Sequence, residues 1–201
     1  MFNGGFMLLS ALISFIYNDG VTLQISLAGI LTMIAGLIAM LVTKNHKKEI
    51  NKREGYVVVT FGWIIMSLSG TIPYILTESI PNFTDAFFET ISGYTTTGAT
   101  ILNDVEVLPN GILFWRSTTN WIGGMGIIVL AIAILPLLGI GGMQLFAAEA
   151  PGPSSDKLHP RITDTAKRLW LIYFGYTLAE TLLLQLAGMT FFDAINHSMS
   201  T

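Results

Sequence analysis

The sequence predicts an all-α, polytopic membrane protein built from repeated helix–pore-loop–helix units and truncated in the second repeat. Three observations carry that prediction. Three long runs hold no charge: Gly20 to Thr43 (24 residues), Gly55 to Thr77 (23) and Ser117 to Ala148 (32). About 20 mostly apolar residues cross a bilayer, so buried helices of a soluble enzyme are the weaker reading of such lengths. Only 11% of the 201 residues are charged and 52% are hydrophobic, whereas soluble domains carry about a quarter charged residues. A short block also recurs. Phe83-Thr84-Asp85-Ala86 returns 108 residues later as Phe191-Phe192-Asp193-Ala194, and Ser92 then falls on Ser200.

The elements follow in chain order. Phe6 to Tyr17 reads as the remainder of a first helix, because it lacks the basic start and small-residue cleavage site of a signal peptide. The second span covers about 21–43, the third about 55–76, the fourth about 110–138 and the fifth about 162–188. The loop between spans two and three holds Lys44, Lys47, Lys48, Lys52 and Arg53. The segment 149–168 holds Lys157, Arg161, Lys167 and Arg168. The interval 78–109 holds five acids and no Lys or Arg. The positive-inside rule therefore places loops 44–54 and 149–168 in the cytoplasm and 78–109 outside. The five helices then alternate in direction without conflict.

Residues 83–92 sit inside that outer interval yet are not loop-like. Phe83, Phe87, Phe88 and Ile91 have helical spacing. Thr84 is the expected N-cap, with Asp85 in the first turn where the helix dipole favours a carboxylate. The apolar piece is too short to span and fits a re-entrant half-helix, which is tolerated only in protein or beside a water-filled cavity. Gly93-Tyr94-Thr95-Thr96-Thr97-Gly98-Ala99-Thr100 follows. Three β-branched threonines disfavour continued helix, and Gly98 permits a backbone shape that other residues resist. By itself the string also fits a turn between helices. Behind a re-entrant half-helix, an extended segment would present carbonyls and hydroxyls to an ion, as potassium filters do. The expected ion-binding residues are Thr95, Thr96, Thr97, Gly98 and Ala99, with a potassium ion on the backbone of Thr96, Thr97 and Gly98. The C-terminal, negative end of the half-helix dipole favours a cation there.

Other residues carry weaker readings. Arg116, near the outer end of the fourth span, either snorkels to the interface or repels or gates cations near the filter. Glu180 near mid-bilayer is an ion-path residue or a buried hydrogen-bonding group. Asp85 and Asp193 head equivalent half-helices. Gly123, Gly124 and Gly126 read as close helix packing, since no strand precedes them and no phosphate-loop Lys follows. His46, His159 and His197 share no ligand spacing, and His197 reads as a packing position. Trp63, Trp115, Trp121 and Trp170 are assigned to interfacial belts. There are no cysteines, and a net charge of −3 offers no basic face for nucleic acid. An intramembrane enzyme lacks its motifs here, with no Gly-x-Ser-x-Gly and no His-Glu-x-x-His. A non-transporting helical subunit remains as the alternative.

At this point a family is recognisable. Thr95-Thr96-Thr97-Gly98-Ala99-Thr100 and Trp121-Ile122-Gly123-Gly124-Met125-Gly126-Ile127-Ile128-Val129-Leu130 resemble the first repeat of the Trk/Ktr/HKT superfamily of potassium transporters. The run Leu135 to Leu145, the segment Ala148 to Pro153 and Pro160-Arg161-Ile162 resemble its TrkH branch. The resemblance implies four non-identical helix–pore-loop–helix repeats in one polypeptide, preceded by extra N-terminal helices. It implies potassium uptake across the bacterial cytoplasmic (inner) membrane, a homodimer with one pore per subunit, and a cytoplasmic ring of nucleotide-binding TrkA-type regulatory subunits. The potassium ion is the substrate, with no organic cofactor. Four filter glycines favour potassium in this superfamily, and Gly98 fits that type. The expected division is 1–54 (N-terminal hairpin and basic loop), 55–148 (first repeat, filter 94–100), 149–161 (cytoplasmic linker) and 162–201 (start of the second repeat). Because the chain stops at Thr201, before a second filter, the natural protein is expected to be longer.

Overall fold

The computed structural model describes residues 1–44, 52–138 and 158–201. Most of the basic loop 44–54 and of the linker 149–161, with the Gly139 to Leu145 stretch, lies outside the described residues. Within them the chain is helical, with no strand. In order the helices are α1 (Phe2–Tyr17), α2 (Thr22–Thr43), α3 (Lys52–Gly70), α4 (Ile72–Leu76), α5 (Phe83–Tyr94), α6 (Asn110–Leu138), α7 (Leu158–Leu186) and α8 (Phe191–Ser200). Among the described residues, Thr22–Thr43, Val57–Leu76 and Ala166–Leu186 are long and apolar enough to cross a membrane. Their surfaces agree with that: Val42, Leu171 and Leu186 are 72%, 76% and 85% exposed. Large aliphatic side chains on helices of this length belong against lipid.

The chain forms two compact units, 1–122 with 199–201, and 123–198. In the first, α1 and α2 pair as a hairpin. Asn18 ends α1 in the left-handed conformation (φ 54°, ψ 40°), which Asn tolerates better than most residues. Gly4 and Gly29 let the two helices touch, since a Cβ on Gly4 would lie 2.6 Å from the Gly29 carbonyl oxygen. Asp19 then ties the hairpin to α6. Its carboxylate accepts from the Gly111 N–H at 2.8 Å and from the Ser14 hydroxyl. It thereby satisfies a first-turn donor of α6 and complements the dipole there.

The third span is not continuous as expected. It breaks at Thr71 into α3 and α4, because Pro73 has no N–H and its ring crowds the preceding turn. The break leaves the Gly70 carbonyl available, and the indole N–H of Trp115 donates to it at 3.1 Å. Trp115 is 0% exposed and lies in the core with Met7, Ile25, Tyr74, Ala86 and Ile112. It is therefore a core residue and not part of an interfacial belt. A buried indole needs a hydrogen-bond acceptor, and the broken helix supplies one. Trp121 is also buried, near Phe6. In the second unit, Gly124 meets α7 closely, a Cβ there falling 2.7 Å from the Tyr173 hydroxyl, as expected of a packing glycine. His197 is exposed rather than packed, because it shares an outward face of α8 with Asp193 and Ser200 while Phe192, Ala194 and Ser198 are buried.

Candidate functional site

The half-helix α5 begins two residues earlier than its expected cap implied. Asn82, in extended conformation, is the N-cap, and its side-chain oxygen accepts from the Thr84 N–H at 2.9 Å. Thr84 lies in the first turn beside Asp85. One face of α5 is fully enclosed: Ala86 and Thr90 are 0% exposed and Tyr94 is 1% exposed. Gly70, at the end of α3, makes that approach possible, because a Cβ there would sit 2.5 Å from the Thr90 methyl. Tyr94 closes the helix. Its hydroxyl donates to the Asn3 side chain, whose amide donates to Ser69 Oγ at 2.8 Å. Trp63 packs edge-on against the Tyr94 ring at 6.4 Å. The last turn of α5 is thus gripped by α1 and α3.

The helix ends in a Schellman motif. The Thr96 N–H donates to the Gly93 carbonyl at 2.9 Å and the Thr97 N–H to the Ser92 carbonyl at 3.0 Å. Glycine usually holds the left-handed position of this motif. Here Thr96 holds it at φ 54°, where a β-branched residue is an outlier of the kind found at functional sites. Thr95 has φ −84°, Thr97 lies on the negative side, and Gly98 has φ 74°. The sign alternates over four residues, so the segment is not the extended strand expected from the sequence. The difference matters. A pleated strand sends successive carbonyls to opposite sides, whereas alternating right- and left-handed residues turn successive N–H groups one way and the carbonyls the other.

Those carbonyls are available. Among the described residues, the carbonyl oxygens of Thr95, Thr96, Thr97 and Gly98 accept no hydrogen bond, and the segment is exposed. The Ala99 carbonyl differs, since it accepts from the Ser92 hydroxyl at 2.6 Å. The Thr95 hydroxyl donates back to the Ile91 carbonyl at 2.8 Å and lies 2.8 Å from the Thr97 hydroxyl.

A buried ion pair that sequence reasoning missed stands behind this segment. The Glu89 side chain, 2% exposed, accepts from Arg116 Nε at 2.7 Å. It also accepts from the Thr100 hydroxyl at 2.9 Å and the Ile101 N–H at 3.1 Å. Arg116 therefore faces a carboxylate inside the protein and does not snorkel to the interface. Two sequence signals point to the pair. Glu89 lies inside an apolar half-helix, where a carboxylate requires a partner. Arg116 is the one basic residue between Arg53 and Lys157.

The equivalent of α5 in the second repeat is α8. Thr190, 108 residues after Asn82, caps it: the Asp193 N–H donates to Thr190 Oγ1 at 3.2 Å, and that hydroxyl donates to Asp193 Oδ2 at 2.6 Å. Ala194 is 0% exposed, like its counterpart Ala86. Ser198, the counterpart of Thr90, lies 2.6 Å from the Thr181 hydroxyl of α7. Glu180, on the same helix, is half-buried.

Comparison with known proteins gives the family. Residues 22–201 match the TrkH family of cation transport proteins. The chain belongs to that family. It is 50% identical over 200 residues to the Trk system potassium uptake protein TrkH of Salmonella typhimurium, covering 98% of this chain and 41% of that protein. It is 48% identical to the protein of the same name from Escherichia coli K12, with the same coverage. The crystal structure of the potassium transporter TrkH from Vibrio parahaemolyticus matches with a TM-score of 0.82 at 41% identity, over 98% of this chain and 39% of that one. The chain thus spans about two fifths of the length of these relatives. The family is one of membrane transporters and not of enzymes. The all-helical membrane fold with pore-loop repeats, expected from the sequence, holds.

Proposed function

We propose that this chain is part of a potassium-uptake pore of the cytoplasmic membrane, and that Thr95–Ala99 is one of the filter segments lining it. The observation that carries the reading is the run of four carbonyls, Thr95 to Gly98, unbonded among the described residues, on a backbone whose φ alternates in sign after the half-helix α5. Rings of such carbonyls replace the hydration shell of potassium. In this reading Thr96, Thr97 and Gly98 contact the ion through their backbone. Ala99, its carbonyl held by Ser92, ends the filter. The relatives, known as potassium uptake proteins and potassium transporters, support potassium as the substrate. The proposal includes the cytoplasmic placement of 44–54 and 149–168, the outer placement of 78–109, and the repeat boundaries at 55–148 and 162–201. It also includes a homodimer with a TrkA-type cytoplasmic partner, which fits relatives named as members of a Trk system.

Rubidium uptake tests the reading. The full-length gene is expressed in cells without their own potassium uptake. The expected result is saturable rubidium uptake that potassium blocks and excess sodium does not. Uptake equal to that of cells carrying an empty vector would contradict the proposal.

A further inference from the structure

The filter loop has two limbs, and they are held differently. The first, Thr95 to Thr97, is fixed by backbone bonds to its own helix. The second, Gly98 to Ile101, has no backbone partner of that kind among the described residues. Its fixed points are side-chain contacts: the Ser92 hydroxyl on the Ala99 carbonyl, and the Glu89 carboxylate on the Thr100 hydroxyl and the Ile101 N–H. Glu89 is in turn held by Arg116 of α6. A small pocket of about 10 Å³, room for a single water, lies beside these contacts, lined by Glu89, Arg116, Gly98, Ala99 and Asn120. The Asn120 Oδ1 is buried there without a hydrogen-bond partner among the described residues. The contacts that hold the limb from behind thus run through the Glu89 carboxylate and the Ser92 hydroxyl.

We propose that Glu89 and Arg116 are positioning residues for ion selection, an ion-paired strut that sets where the Gly98–Thr100 limb of the filter stands. The inference rests on the reading of Thr95–Ala99 as filter. Neither side chain touches the ion. Glu89 acts through Thr100 and Ile101, and Arg116 acts by holding the Glu89 carboxylate in place through their ion pair. A filter distinguishes potassium from sodium by the disposition of its carbonyls. A limb released from its strut relaxes that disposition while the helices around it stay packed.

The test uses the full-length protein in cells lacking their own potassium uptake. Rubidium uptake and its inhibition by sodium are measured at matched amounts of membrane-inserted protein. The variants are Glu89→Gln, Arg116→Gln, the double variant, and Thr100→Val, with Gly98→Ser as the filter reference. Glu89→Gln and Arg116→Gln are each expected to strengthen sodium inhibition by about tenfold, and the double variant no more than either alone, as coupled neighbours behave. Thr100→Val removes one contact of the strut without touching the ion pair. It gives the same direction of change, and decides the matter if the Glu89 variant does not accumulate. Sodium inhibition unchanged in these variants, or effects of the two singles that multiply, overturns the strut. If Gly98→Ser alters selectivity while the strut variants do not, the filter reading stands and the strut falls. If Gly98→Ser alters nothing, the filter reading falls and takes the strut with it.

Discussion

Gly98→Ser and Gly98→Ala are expected to lose discrimination against sodium to the same extent. The reason is conformational. Gly98 holds φ 74°, and a Cβ built there meets no atom within 4 Å. The added side chain has space within this chain, so crowding is not the cause. An L-residue in the left-handed region costs about 1–2 kcal/mol, and relief comes from rotating the peptide that carries one of the four free carbonyls. Asn tolerates this region better than Ser or Ala, so Gly98→Asn is expected to retain more selectivity than either. Sodium inhibition of rubidium uptake across the three variants checks the order. A loss confined to Ser, with Ala normal, would assign the effect to the hydroxyl and remove the conformational explanation.

Trp115→Ala carries the largest expected loss of stability. The side chain is 0% exposed, packs in the core of the first unit and closes the backbone gap at Gly70. Truncating a buried Trp costs about 3–5 kcal/mol, and the stranded Gly70 carbonyl adds to it. Trp115→Phe keeps most of the packing and loses the hydrogen bond, a cost of about 1–3 kcal/mol for an orphaned buried group. Melting temperatures of the full-length protein in detergent are expected to fall in the order wild type, Phe, Ala. A Phe variant as stable as wild type would show that the indole bond to the broken helix contributes nothing.

The sequence displayed the spans and the re-entrant half-helix because both are written in charge and periodicity. The charge-free run Gly20 to Thr43 gave α2 nearly to the residue, the run Ser117 to Ala148 overlaps α6 in part, and the recurrence of Phe83–Ala86 at 191–194 located α8. What it hid were partnerships between distant positions. Asp19 reaches Gly111, Trp115 reaches Gly70, and Asn3 reaches both Ser69 and Tyr94. None has a local pattern, because each pairing exists only once the helices are packed. The break at Thr71 was within reach, since Pro73 announces it. The cap at Asn82 was within reach as well, since Asn is as good a cap as Thr and starts the helix two positions earlier. At the proposed filter, the Thr95–Ala99 string was visible in the sequence and its conformation was not. A threonine in the left-handed region at position 96 goes against its own preference, and tertiary structure imposes it.

Ion density at the loop is the most direct test of the central claim. Crystals of the full-length protein grown in rubidium, with data collected at the rubidium absorption edge, locate the ion without reference to transport. Anomalous peaks bounded by the carbonyl oxygens of Thr96, Thr97 and Gly98 are expected. Peaks elsewhere in the protein, with none at this loop, would contradict the claim.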